Sequence, residues 1–137
     1  MKKRFLSFAL MTALVLSLCG WAAVAAETRA SETIKLFTAS ATAGNNKGEI
    51  KIFYDMQATA TADKLGVSSI VIRKADDSYV TTITGSVSNG LIRTDAARHR
   101  SSYTYKGDPD TSYYAVVTGF ATIGSDSDSK SVKTNAV

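Results

Sequence analysis

Apolar and polar residues alternate along much of this chain with a period of two. The clearest case is "EIKIFYDMQATA", residues 49–60, where Ile50, Ile52, Tyr54, Met56 and Ala58 interleave with Lys51, Phe53, Asp55 and Gln57. Successive side chains of a strand point to opposite faces, so this spacing predicts a strand with the first set against a core. Phe53 breaks the polar set and is expected under a loop or at an edge. Comparable runs rich in Ile, Val, Thr, Tyr and Phe occur at 32–40, 68–74, 79–85, 97–105, 112–122 and, briefly, 130–135. The clusters between them, such as "AGNNKG", "ADDS", "SVSNG", "KGDPDT" and "GSDSDS", are built from residues that favour turns. Residues 61–67, "TADKLGV", read as a connection with one helical turn.

About seven strands follow from this pattern, with no helix long enough to cover a sheet. The strands must then cover one another. The expected fold class is all-β, an antiparallel two-sheet β-sandwich of immunoglobulin-like type. Within it, "DTSYYAVVTG" (110–119) opens the sixth strand with two tyrosines. In such sandwiches a tyrosine at this place buries its ring and turns its hydroxyl back to the backbone of the preceding corner. Tyr113 takes that role here, with Ala115, Val117 and Gly119 continuing its face. Tyr114 falls on the opposite face with Val116, Thr118 and Phe120.

The N-terminus changes how the charge should be read. Lys2, Lys3 and Arg4 precede an apolar run without a charge, residues 5–18, and "GWAAVAA" follows. That order predicts a secretory signal peptide over residues 1–26, cleaved after Ala25 or Ala26, and a single domain over 27–137. Of 16 basic and 12 acidic residues, three basic ones leave with the signal, so 13 face the same 12. The basic excess that would have suggested nucleic acid goes with them. Cys19, the one cysteine, leaves as well, so no disulfide is expected even in an oxidising compartment. Leu18 stands where a lipoprotein signal wants a small residue, which argues against a lipid on Cys19. The localisation expected is secreted and extracellular, with no stable membrane anchor.

Two stretches, "GEIKIFYDMQATATADKLGVSSIVI" and "YKGDPDTSYYAVVTG", carry a likeness beyond these patterns. The chain resembles a group of small exported proteins from Gram-positive, largely clostridial, bacteria. Their shared pattern is a Gly-led strand, an Ala/Thr stretch, "D-x-L-G-V-S-S-I", a Gly turn and a paired tyrosine near the end. The resemblance spans Gly48 to about Gly119. It implies export and a sandwich, and brings no activity with it.

Catalytic patterns are weak. His99 is the only histidine and has no cysteine or HExxH spacing for zinc. No serine sits in a Gly-x-Ser-x-Gly elbow. Most carboxylates lie in turns, and Asp55, in mid-strand, faces away from the apolar set. No enzyme is expected. Asp126 and Asp128 open an EF-hand-like spacing, but Lys130, Ser131 and Val137 occupy later positions where such a loop needs a ligand, a glycine and a glutamate. A calcium site of another kind would draw on Asp63, Asp126 and Asp128 at one end of the sandwich. Otherwise no cofactor is expected.

"RTDAARHR" supplies the most distinctive charges. Arg98 and Arg100 share a strand face and Arg93 precedes them by a loop. Their planar forks suit sulfate, phosphate or carboxylate groups, although charged edge strands also deter aggregation. Tyr103 and Tyr105 fall with His99 on the other face. The expected role is a non-catalytic binding or adhesion module for an anionic wall polymer, a glycan or a protein, as a monomer or with weak self-association. A small peptidase inhibitor and a self-assembling surface subunit are the alternatives.

Overall fold

A computed structural model describes residues Glu32–Val137. The predicted export signal, Cys19 and the leader after it lie outside the described residues. Six strands form: β1 (Ile34–Ala43), β2 (Glu49–Lys74), β3 (Tyr79–Thr84), β4 (Ile92–Lys106), β5 (Tyr113–Ile123) and β6 (Asp126–Lys133). Every pairing is antiparallel, and no helix occurs among the described residues. The all-β antiparallel class is therefore as expected.

The strand count differs from the sequence expectation for one reason. The runs at 49–60 and 68–74 are a single strand, because residues 61–67 are extended and not a helical connection. Asp63, Lys64 and Gly66 look like turn residues in isolation. Within the fold, Ala62, Leu65 and Val67 are buried while Asp63 and Lys64 are exposed. The bend that lets the strand change direction falls between Gln57 and Ala62, where its register with β4 slips. Small residues at Ala58, Ala60 and Ala62 suit that bend.

β2 consequently serves as the spine of one six-stranded sheet. Its first half lies between β1 and β4. Its second half lies between β5 on one side and β3, with the start of β4, on the other. β6 flanks β5. The expectation of two separate sheets thus gives way to one continuous sheet curled on itself. Ile50, Ile52 and Tyr54 from the first half of β2 join Val67, Ile70 and Ile72 from the second in one core, with Ala115 and Val117 of β5. Each such fully buried aliphatic side chain contributes roughly 1.5–3 kcal/mol of transfer free energy. A second cluster, Ile34, Met56, Ala58, Ala62, Leu65 and Ala121, fills the inside of the bend. Both clusters lie within Glu32–Val137, so this unit carries its own core.

The last residues tie the open side of the curl. Beyond β6, Thr134 N–H donates to the Ala115 carbonyl, and Tyr113 and Val137 exchange backbone bonds of 2.9 Å. The Asn135 side chain then behaves like a strand residue towards β1. Its Nδ2 donates to the Ala41 carbonyl at 2.9 Å, and its Oδ1 accepts from the Ala41 N–H at 3.2 Å.

Candidate binding face

Alternation along the first half of β2 turns Lys51, Phe53, Asp55 and Gln57 to the outer side of the sheet. Phe53 is neither under a loop nor at an edge. It stands in the middle of the β1–β2–β4 face, 40% exposed, between Ser40 of β1 and Ser102 of β4. Lys51 Nζ lies 5.2 Å from the centre of its ring, within reach of the ring's quadrupole.

Next along the strand is Asp55, directly opposite Arg100 in the register, with Arg98 opposite Gln57. Arg98 grips the carboxylate with both prongs, Nε to Oδ1 at 3.1 Å and Nη2 to Oδ2 at 2.7 Å. Arg100 Nε approaches Oδ2 from the other side at 3.4 Å. The Arg98 hydrogen bonds, with the positive charges of both arginines, hold the Asp55 carboxyl below its ordinary range despite some desolvation. Arg98 is thereby occupied. Arg100, 73% exposed at its side chain, has a long contact on one nitrogen and a largely open fork. Between β1 and this group runs a shallow groove of about 460 Å3, floored by Phe53 and Asp55 and walled by Thr38, Ser40 and Arg100.

The third arginine is placed elsewhere. β4 begins at Ile92, so Arg93 belongs to the same strand and not to a preceding loop. It sits opposite Leu65, on the second half of β2. Between it and Arg98 lie the positive φ of Asp95 and the slip in register with β2. What the sequence did not supply was the partner. Asp55 and Phe53 both stood out in the alternation, but only the register of β2 against β4 sets them beside the arginines.

Asp63, Asp126 and Asp128 do not form a cluster around an ion. Asp63 does reach the β5–β6 turn, where its Oδ2 accepts from the Gly124 N–H at 2.8 Å. Asp126 and Asp128 lie within β6, opposite Ile123 and Ala121, and not in the turn itself. Among the described residues no group of three or more His, Cys, Asp or Glu side chains is placed to hold a metal ion.

The two tyrosines that open β5 each have a structural partner. Tyr113 is buried, its hydroxyl accepts the Asp108 N–H at 2.8 Å, and its ring meets that of Tyr105 edge-on, centroids 5.6 Å apart. Tyr114 donates its hydroxyl to Asp77 Oδ1 at 2.5 Å, and Lys133 Nζ caps its ring at 4.3 Å. The bond to Asp77 raises the Tyr114 phenol above its ordinary range, with desolvation adding to it.

His99 is buried on the inner face. Its Nε2 lies 3.0 Å from the Gly90 carbonyl and 3.1 Å from the Tyr54 hydroxyl, and Nδ1 has no partner. A carbonyl can only accept, so the proton belongs on Nε2, which leaves a bare lone pair and not an N–H orphaned at Nδ1. Burial lowers the imidazole's pKa, the Arg93 charge lowers it further, and the Gly90 carbonyl opposes them. Charging His99 is thus harder in the fold than in the unfolded chain, where histidine titrates near about 6.5. The stability this provides is complete above that pH and is lost as pH falls through the lowered folded value. Melting temperature should therefore fall as pH is lowered below about 6.5, and His99→Phe should flatten that fall. Parallel profiles for the two proteins would remove His99 as the cause.

No protein-family model matches the chain, and no curated protein does.

Proposed function

We propose that the protein is a secreted, non-catalytic binding or adhesion module that takes a glycan or anionic wall polymer on the outer face of β1, β2 and β4. The observation that carries this reading is Phe53, an aromatic ring left exposed in mid-sheet beside an open arginine fork and a row of hydroxyls. A sugar ring stacks its C–H face on such a platform. Arg100 offers two parallel donors to a carboxylate, sulfate or phosphate, Lys51 adds a point charge, and Thr38 and Ser40 suit sugar hydroxyls. Asp55 cancels most of Arg98 and remains ionised, which suits a fixed acceptor better than a proton donor. Arg93 would join only along an extended polymer. The facing halves of the curled sheet, and the Tyr113 bond to Asp108 just upstream, favour an immunoglobulin-like sandwich in which β2 is shared by both layers.

Co-sedimentation with cell walls and insoluble glycans at low and high salt tests the reading. Phe53→Ala and Arg100→Ala should each weaken binding by about tenfold, corresponding to about 1.4 kcal/mol. Arg93→Ala should change binding to short ligands little. Added salt should weaken the Arg100-dependent part more than the Phe53-dependent part. Absence of binding, or equal loss for all three variants, would reject this face as the site.

A further inference from the structure

The strands at the boundary of the sheet are not equally protected. β6 carries Asp126, Asp128, Lys130 and Lys133. β4 carries Arg93, Asp95, Arg98, Arg100 and Lys106. β1 is engaged at Ala41 by the Asn135 side chain. Charges and capping of this kind are how edge strands avoid pairing with other chains. β3, "YVTTIT", has neither a charged residue nor a proline. Among the described residues it pairs only with β2.

The core is also open along β3. Val80 and Ile83 pack against the main cluster yet stay only half-buried. Tyr79, at the head of the strand, is 59% exposed and outside that cluster, its hydroxyl 3.0 Å from Thr82 Oγ1. The Asn89 side chain closes the far end, donating to the Thr84 carbonyl at 2.8 Å.

We infer that β3 is the strand through which two copies of this chain pair, antiparallel, about a two-fold axis at Thr82. A second copy fits because an antiparallel edge is complementary to itself under a two-fold axis, so each molecule brings the same uncharged, β-branched edge. Centring the axis on a residue keeps the faces matched. Thr82 meets Thr82 on the outer side, and Thr81 of each copy meets Ile83 of the other on the inner side. The half-exposed ends of the two cores then cover each other, and the order β6-β5-β2-β3 continues into a second β3-β2-β5-β6. With the Thr84 carbonyl already taken by Asn89, fewer than the six residues of β3 can pair, so the contact is small and the dimer weak and concentration-dependent.

A cysteine at the axis tests this directly, since the sequence has only Cys19 and Glu32–Val137 contains its own core. In an antiparallel pair, residues facing each other have Cα atoms about 4.5–5.5 Å apart, within disulfide reach. Thr82→Cys in this unit should form a disulfide-linked dimer on mild oxidation, and Ser129→Cys on β6 should not. Sedimentation velocity should show the unmodified unit approaching twice its mass as concentration rises. Thr82→Lys, on an exposed side chain, should remain monomeric with an unchanged circular dichroism spectrum. A folded unit that stays monomeric at millimolar concentration, or equal cross-linking of both cysteine variants, would overturn the inference. Neither result bears on glycan binding at Phe53, which lies on another part of the sheet.

Discussion

Gly66→Ala should destabilise the protein by about 3 kcal/mol or more, at the upper end of what overpacking costs. Gly66 lies where β2 has neighbours on both sides, Ile92 of β4 and Phe120 of β5. A Cβ there would come 2.1 Å from the Leu91 carbonyl oxygen and 2.7 Å from Ile92 Cα. Both are backbone atoms, so no side-chain rotation makes room. The Leu91 carbonyl also accepts the Val67 N–H at 2.8 Å, and Leu91 and Val67 are both in the core. Moving β4 aside would break that bond and open the core together. The backbone at Gly66 has φ of +158°, at the margin of what other residues adopt, which adds to the cost. A chemical denaturation midpoint measures the effect. A loss under about 1 kcal/mol, less than overpacking ordinarily costs, would mean that this crossing has slack the geometry does not show.

Tyr113 yields the second large effect, and two variants divide it. Tyr113→Ala should cost about 3–5 kcal/mol, the range for removing a buried aromatic ring. The ring fills space between Tyr105 and Gly107, where a Gly107 Cβ would lie 2.4 Å from it. Tyr113→Phe keeps the ring and removes only the acceptor of the Asp108 N–H. Its cost should be about 1 kcal/mol, since Asp108 is exposed and water can replace the bond. Nearly equal losses for the two variants would mean that the hydroxyl, and not the packing, holds the turn before β5.

What could be read from the sequence divides by distance along the chain. Alternation from Ile50 to Ala58 is visible because one face of that segment is buried and the other is not. The Tyr113–Asp108 contact is similarly local, spanning five residues. The continuity of β2 was not visible, since "TADKLGV" contains the residues of a turn. Its backbone stays extended because β4 and β5 satisfy it from both sides, and that is a property of the fold. The same holds for the face around Phe53. Arg98 and Asp55 are 43 residues apart, and only the strand register brings them together. Turn residues pointed to Asp63, Asp126 and Asp128 at one end, and Asp63 does reach the β5–β6 turn, but Asp126 and Asp128 are strand residues of β6.

The spine strand also bears on how the molecule comes apart. β2 pairs with β1, β3, β4 and β5, so a break across it severs the sheet at several places at once. Neither half of the curl can detach as an intact subunit, because each shares this strand with the other. Opening should be all-or-none, with the amides of β2 exchanging only when the whole molecule unfolds. The pairings of β2 with β4 and β5 also join segments distant in the chain, which slows folding relative to a domain built from hairpins alone. A chain that forms from its N-terminus can pair β2 with β1, β3 and β4 before β5 is complete, and the side of the second half of β2 that β5 covers stays open for that interval.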